Sequence, residues 1–218
     1  MISGVDESGR GPVIGPLVIA GVNFKDDTEL IKNKIRDSKK ITPKRREILA
    51  KKIKELAIKY EILVIPASDI DDMRKVMTLN EIEVNAFTKV IKKLTPEVCY
   101  VDSADVNEQR FADDILLNLS FKPLIVSKHK ADDIYPIVGA ASILAKTKRD
   151  EEVRTIAQKL EDKLKMPLGS GYPADPVTQK FLQSWLKKYE RLPPNIRYSW
   201  KTTQNLLKNK NVRKLDDF

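Results

Sequence analysis

The sequence predicts an α/β fold in which one β-sheet is covered by helices. Apolar, β-branched runs alternate along the chain with segments whose apolar residues recur at helical spacing, a pattern typical of such a sheet. The first two apolar runs, residues 2–7 and 16–24, are separated only by a short glycine-rich turn. Because a tight turn joins antiparallel strands, we expect one antiparallel strand in the sheet. The length of 218 residues allows one large domain, or one domain with a small appendage.

The first half of the chain predicts three strands and two helices. After the two strands already named, residues 60–67 form a β-branched run that predicts the third. Residues 41–60 predict a helix, since Thr42 can cap its N-terminus and a proline follows at the first helical position. The second helix, residues 78–94, opens with a threonine and has a glutamate three residues later, which is a capping box.

The second half adds two strands and a series of helices. The predicted strands cover residues 97–104 and 121–129, and the predicted helices cover residues 107–119, 136–164 and 176–189. Residues 169–176 predict a loop, and residues 191–200 an irregular segment. The final polar and basic residues, 208–218, predict a mobile tail.

The charge balance indicates a polyanionic partner. The formal net charge is +9 and the sequence pI is near 9.4, so nucleic acid is the first candidate and acidic lipid the second. A soluble surface that is merely rich in lysine is the alternative. No apolar run approaches about 18 residues, so we expect no membrane span and no leader. The single cysteine, Cys99, cannot form an internal disulfide, which fits a cytoplasmic protein.

Acidic residues stand at the ends of several predicted strands. Asp6 and Glu7 end the first strand, Asp102 ends a later one, and Asp132 and Asp133 follow the last. Ligands of α/β sheets bind at this carboxyl edge. Strand alternation points Asp6 and Glu7 to opposite faces, so both can serve one site only if the backbone turns there.

Converging carboxylates need a compensating cation, and oxygen ligands favour Mg²⁺ or Mn²⁺. Two such ions about 3.5–4 Å apart would activate a water and stabilise the leaving oxygen of a phosphodiester. Alternatively, each acid is a strand-end cap or a solvated loop residue. A glycosidase-type acid pair is a further alternative, but it uses neither the positive charge nor the glycines.

The turn after the first strand holds Gly9, Gly11 and Gly15 around Arg10. Without side chains at Gly9 and Gly11, the peptide groups around Arg10 can closely approach a sugar or a phosphate. A hairpin between two strands would also favour glycine, so both interpretations remain open.

Several stretches together closely resemble the ribonuclease HII family, the type 2 ribonucleases H. The matching stretches are GVDESGRGPVIGPLV (4–18), DSKKIT (37–42), NEIEVNAF (80–87), VDSAD (101–105), HKADDIYPIVGAASILAK (129–146) and GSGYPADP (169–176). PPNIRYSWKT (193–202) resembles the ending of archaeal members. The resemblance implies a ribonuclease H-like fold, with a five-stranded mixed sheet flanked by helices and a helical C-terminal region. It divides the chain into a catalytic domain (1–168), a substrate-binding region (169–205) and a basic tail (206–218).

The resemblance also implies roles for individual residues. The metal site would consist of the four carboxylates Asp6, Glu7, Asp102 and Asp132, with Asp133 as a spectator. The residues implied to contact the substrate are Gly9, Arg10 and Gly11 at the ribose 2′-OH, Tyr172 on the sugar, and Ser38, Lys39 and Lys146 near the phosphates or the acids. Two divalent ions, Mg²⁺ or Mn²⁺, would be the cofactors.

The implied enzyme cuts RNA–DNA hybrids and duplex DNA with embedded ribonucleotides, on the 5′ side of the ribonucleotide, leaving a 3′-hydroxyl and a 5′-phosphate. A non-catalytic RNA/DNA duplex-binding protein with the same basic surface is the alternative. We expect a monomer. In the tail, Leu215 and Phe218 have the aliphatic–aromatic spacing of a sliding-clamp-binding motif, although Val212 replaces its glutamine. His129 is expected to be exposed or to lie just behind the site residues, and Cys99 and Trp185 are expected to pack in the interior.

Overall fold

The computed structural model describes residues 1–35 and 41–216, with side chains described as far as residue 209. The strands are β1 (Ile2–Ser8), β2 (Leu17–Phe24), β3 (Lys59–Ile65), β4 (Val98–Asp102) and β5 (Leu124–Lys128). The helices are α1 (Thr28–Lys32), α2 (Pro43–Leu56), α3 (Ala67–Met73), α4 (Leu79–Leu94), α5 (Glu108–Leu117), α6 (Ala131–Ile134), α7 (Pro136–Leu164), α8 (Pro176–Tyr189) and α9 (Lys201–Asp216).

The five strands form one mixed sheet in the order β3-β2-β1-β4-β5. The central strand β1 pairs antiparallel with β2 and parallel with β4, and β4 pairs parallel with β5. The expected α/β sheet with an antiparallel member is therefore confirmed. In the part of the chain that the structure describes, no helix is both long and apolar enough to cross a membrane.

The chain divides into two compact units. Unit 1 comprises residues Met1–Ser8, Val18–Val64 and Met77–Arg149, and unit 2 comprises Gly9–Leu17, Ile65–Val76 and Asp150–Phe218. The predicted functional regions, residues 1–168, 169–205 and 206–218, do not have the same boundaries as these two units. That functional division stays a prediction. Helix α9 runs to Asp216, so the backbone is helical in most of the segment that the sequence assigns to a tail.

Unit 1 has helices on both faces of its sheet. On one face, alternate residues of β2 share an apolar cluster with α1, α2 and the first half of α7. On the other face, Gly21 of β2 lies against Val90 and Leu94 of α4. Phe87 of α4 meets Phe111 of α5 edge to face, with ring centroids 5.1 Å apart. The sheet is thus the middle of three layers.

Unit 2 has its own apolar cluster, centred on α8. Phe181 and Trp185 of α8 pack in it with Ile14 and Ile196, which are themselves joined by an isolated β-bridge. Trp185 is only 3% exposed, so its predicted packing role is confirmed. The cluster anchors the chain segments that precede β2 and precede α9.

The predicted helix starts are confirmed in detail. Thr42 caps α2 by accepting a hydrogen bond from the N–H of Arg45. Thr78 and Glu81 form both hydrogen bonds of the capping box at the start of α4. The sequence pattern predicts none of the helices α1, α3, α6 and α9.

Candidate active site

Asp6 and Asp102 meet at the carboxyl edge of two parallel strands. Val5 of β1 is paired with Val101 of β4, so the next step along the same register brings Asp6 level with Asp102. Asp6 is 3% exposed, although the pairing of β1 with β2 ends only two residues later, at Ser8. The convergence of these two acids therefore follows from strand register.

Asp132 joins them from α6, the short helix that follows β5. The N–H of Ala131 donates to Oδ1 of Asp102 at 2.6 Å, which ties the start of α6 to the end of β4. Asp132 is buried, and its Oδ2 lies 3.5 Å from Nζ of Lys146 on α7. Asp133 is exposed. Burial thus distinguishes Asp132 from its neighbour Asp133.

The acids act on one another electrostatically. Burial first, and the negative charge of Asp102 second, raise the pKa of Asp6 to about 7. Asp132 also raises this pKa, whereas a hydrogen bond with Ser142 and the positive charge of Lys146 lower it. Such mutual repulsion marks a place where bound positive charge would be stabilised.

Glu7 is placed differently from these three acids. Strand β1 stays paired with β2 through Ser8, so the backbone does not turn between Asp6 and Glu7. Glu7 is half-buried, and its N–H donates to Oδ1 of Asp6 at 2.7 Å. Within residues 1–35 and 41–216, no three acidic, histidine or cysteine side chains are grouped so that they could hold a metal ion as they stand.

The glycine turn and Tyr172 are brought together in unit 2. The N–H of Val13 donates to the carbonyl of Gly171 at 2.8 Å, which links the turn to the loop that precedes α8. A Cβ on Gly11 would lie 3.4 Å from the ring of Tyr172, so the ring covers this glycine. The ring is 42% exposed and remains accessible to a ligand.

Asp175 holds the loop that carries Tyr172. Its Oδ2 accepts hydrogen bonds from the N–H and the hydroxyl of Ser170, at 2.6 and 2.8 Å. Its Oδ1 accepts from the N–H of Val177 at 2.9 Å, which caps α8. These hydrogen bonds, those from Ser170 foremost, lower the pKa of Asp175 to about 2.

Asp175→Asn is expected to lower the melting temperature at neutral pH. Because the folded-state pKa is about 2 and the ordinary value is 3.8, the ionised carboxylate stabilises the fold above about pH 4. That stabilisation is lost as the pH falls through about 2. Thermal melts by circular dichroism should therefore show a difference between wild type and variant that shrinks toward pH 2. A difference independent of pH would contradict this, and Asp162→Asn, an exposed aspartate in the same unit, serves as the control.

The remaining predicted residues are placed as follows. Ser38 and Lys39 lie outside the described residues, and so do Phe218 and the side chain of Leu215. His129 is exposed, and its N–H donates to Oε1 of Glu108, as befits a surface residue. Cys99 is buried, and burial raises the pKa of its thiol.

Sequence reasoning missed Ser142, whose hydrogen bond lowers the pKa of Asp6. A signal for it was present, because Ser142 lies four residues before Lys146 on a helix and so shares its face.

The chain as a whole is similar to known proteins. The family model described as Ribonuclease HII matches residues 3–203. This chain belongs to the ribonuclease HII family. A ribonuclease HII of Methanococcoides burtonii is 43% identical over 94% of this chain and 99% of its own length.

Two solved structures show the same relationship to ribonuclease HII. The PCNA:RNase HII complex from Archaeoglobus fulgidus matches with a TM-score of 0.84 and 39% identity, covering 94% of this chain and 96% of that one. The ribonuclease H2 from Pyrococcus horikoshii OT3 matches with a TM-score of 0.87 and 38% identity, covering 95% and 97%. The ribonuclease H-like fold is confirmed, and the chain is a ribonuclease H enzyme.

Proposed function

We propose that this ribonuclease H is an endonuclease that hydrolyses the RNA strand of RNA–DNA hybrids and cuts 5′ of ribonucleotides embedded in duplex DNA. The observation that carries the proposal is the group of Asp6, Asp102 and Asp132 at the carboxyl edge of the sheet, with Asp6 and Asp132 buried, in a chain of net charge +9. Acids in such a group suit phosphodiester hydrolysis. The excess of lysine and arginine suits sequence-independent binding to the phosphates of a nucleic-acid backbone.

The acids Asp6, Glu7, Asp102 and Asp132 would hold two divalent ions, Mg²⁺ or Mn²⁺. The donor set fits, because carboxylate oxygens are the ligands these ions prefer. Burial is the main cause of the raised pKa of Asp6, and the negative charges of Asp102 and Asp132, which add to it, are charges that a cation would neutralise. Glu7 enters the set through the family resemblance alone. When bound, such ions supply an activated water and stabilise the leaving 3′ oxygen. The ammonium of Lys146 would hold Asp132 in place by its charge.

Recognition of the ribonucleotide would belong to unit 2. The peptide groups of Gly9, Arg10 and Gly11 would contact the 2′-hydroxyl, and the ring of Tyr172, which covers Gly11, would pack on the sugar. The 2′-hydroxyl is the group by which a protein distinguishes RNA from DNA at a given position. Ser38 and Lys39 would contact phosphates.

The C-terminal residues would bind a sliding clamp through Leu215 and Phe218. Support comes from the Archaeoglobus fulgidus protein, 39% identical, whose structure is a complex with PCNA. Such a partner would fit a monomer that acts in the cytoplasm during DNA replication and repair.

The test is cleavage of a labelled DNA duplex that contains one ribonucleotide, with Mg²⁺ or Mn²⁺ and an EDTA control. We expect one cut on the 5′ side of the ribonucleotide, with a 3′-hydroxyl and a 5′-phosphate, and no cut in EDTA. An all-DNA duplex of the same sequence should be cut about 10⁴-fold less, because a site built around a hydroxyl leaves its polar groups unpaired when the hydroxyl is absent. Cleavage of long hybrids alone would contradict the role of the glycine turn. Tight binding without cleavage would contradict the reaction.

A further inference from the structure

Arg197 is a fully buried arginine whose guanidinium is held by backbone carbonyls of the glycine turn. Its Nη2 donates to the carbonyl of Gly9 at 2.6 Å, its Nη1 to that of Arg10 at 2.9 Å, and its Nε to that of Gly15 at 3.0 Å. The guanidinium carbon lies 4.6 Å from the ring centre of Trp200. A buried charge is costly unless its hydrogen-bond donors are satisfied. The carbonyls of the turn satisfy the guanidinium, and the guanidinium in turn holds those carbonyls in place.

These hydrogen bonds determine which way the peptide groups of the turn face. The structure has no cis peptide bond among its described residues, and in a trans peptide the N–H points opposite to the C=O. The carbonyl of Gly9 shares its peptide with the N–H of Arg10, and the carbonyl of Arg10 shares its peptide with the N–H of Gly11. Because both carbonyls face Arg197, the N–H groups of Arg10 and Gly11 face the other side of the turn. Adjacent N–H groups on one side form a concave donor site for an oxygen ligand.

The segment that carries Arg197 is itself anchored. The N–H of Arg197 donates to the carbonyl of Val13 at 2.8 Å. The N–H groups of Tyr198 and Ser199 both donate to the carboxylate of Asp71 on α3, at 2.7 and 2.9 Å. The guanidinium therefore projects from a fixed backbone.

Trp200 restrains the remaining peptide of the motif. Its indole N–H donates to the carbonyl of Gly11 at 3.3 Å, while its ring supports the guanidinium of Arg197. The two side chains together bind three successive carbonyls of the turn, those of residues 9, 10 and 11.

We propose that Arg197 is a positioning residue for ribonucleotide recognition, which orients the N–H groups of Arg10 and Gly11 toward the 2′-hydroxyl of the substrate. The inference rests on the proposed function. An arginine suits this task better than a lysine, because its planar fork presents donors in fixed directions to several acceptors at once. A residue with this role affects the discrimination between ribose and deoxyribose, which a residue that only stabilises the fold does not.

The first experiment measures cleavage of the single-ribonucleotide duplex by Arg197→Lys, which keeps the charge and loses the fork. We expect kcat/KM to fall about 10²-fold, comparable to the loss of one oriented donor in an active site. In an Asp6→Asn background that binds without cutting, the ratio of Kd for all-DNA duplex to Kd for ribonucleotide-containing duplex should fall about tenfold. Leu182→Ala is the matched control, because it weakens the apolar cluster of unit 2, which also holds Val13 and Ile14, without removing a hydrogen-bond donor to the turn, and it should leave that ratio unchanged.

Two further variants keep the inference testable if Arg197→Lys folds poorly. Trp200→Phe keeps an aromatic ring and removes only the indole donor, and should reduce kcat/KM several-fold. For Arg197→Ala, millimolar guanidinium should restore part of the discrimination, and sodium chloride at the same ionic strength should not.

The outcomes separate this inference from the proposed function. If the wild type does not cut the single-ribonucleotide duplex, the proposed function fails. If the wild type cuts, but Arg197→Lys leaves the Kd ratio of the Asp6→Asn background unchanged and Trp200→Phe keeps the wild-type kcat/KM, Arg197 is only a structural residue and the inference is wrong. A loss of the ratio in Leu182→Ala equal to that in Arg197→Lys would also overturn it.

Discussion

Asp6→Asn is expected to reduce cleavage at least about 10³-fold, about 4 kcal/mol of transition-state stabilisation, with little change in substrate affinity. Asp6 is a buried member of the acid group, and the charges of Asp102 and Asp132 both act on it. The amide keeps the size of the side chain but carries no negative charge, so the site would hold divalent ions far less well. The affinity for the duplex would persist, because it depends on lysines and arginines.

The measurement combines single-turnover cleavage with fluorescence anisotropy of the same labelled duplex. Asp133→Asn is the matched control, since it removes an identical charge one residue from Asp132 at an exposed position. It should retain activity within about threefold, the range of an exposed substitution away from the chemistry. Retained cleavage in Asp6→Asn would refute the acid site, and equal losses in both variants would point to net charge instead.

Gly4→Ala is expected to destabilise the fold by about 3 kcal/mol or more, the upper range for overpacking a well-packed interior. A Cβ at Gly4 would collide with the carbonyl of Ile137 and lie 2.7 Å from the backbone nitrogen of Val138. These are backbone atoms of α7, so no side chain can rotate to relieve the collision. Strand β1 and helix α7 would have to separate.

Gly4→Ala should also impair cleavage in the molecules that remain folded. Asp6 lies two residues beyond Gly4 on the same face of β1, about 6.6 Å along the strand. Ser142, which hydrogen-bonds with Asp6, lies five residues beyond Ile137, about 7.5 Å along α7. Strand and helix thus advance together from the glycine contact to the acid, and a shift at Gly4 would be transmitted to Asp6.

Urea unfolding measures the expected loss of stability in Gly4→Ala. Cleavage activity per folded molecule measures the expected effect on the acid site. Gly21→Ala is the matched control, because its Cβ would meet only side-chain methyl groups on the other face of the sheet, those of Val90 and Leu94 and, at 3.2 Å, that of Val5. We expect a smaller loss of stability and nearly full activity in the folded fraction. Equal losses of activity in the two variants would contradict the transmission from Gly4 to Asp6.

The features that could be predicted from the sequence depend on local patterns or on strand order. The capping box at Thr78 involves residues three apart, and it is present as predicted. The convergence of Asp6 and Asp102 follows because parallel strands place their carboxyl ends at the same edge. The alternation that separates Glu7 from Asp6 is likewise a local property of a strand.

The features that could not be predicted are short or depend on distant partners. Helices α1, α3 and α6 have 5, 7 and 4 residues, too few to display a helical period. Helix α9 is polar over most of its length, and its contribution to unit 2 rests on a few residues, such as the buried Thr203. Arginines are rarely buried, and the partners of Arg197 are carbonyls up to 188 positions earlier in the chain, which carry no side-chain signature.

The central position of β1 affects how the acid site responds to heat. Hydrogen bonds from β2 on one side and β4 on the other enclose the strand, whereas β3 and β5 form the outer edges of the sheet. Local openings begin at exposed edges and loops, and the amides of enclosed strands exchange with solvent only when the domain opens as a whole. Asp6 therefore sits in the segment that is released last. Loss of activity on heating should follow cooperative unfolding of unit 1, with no earlier phase of fraying at Asp6.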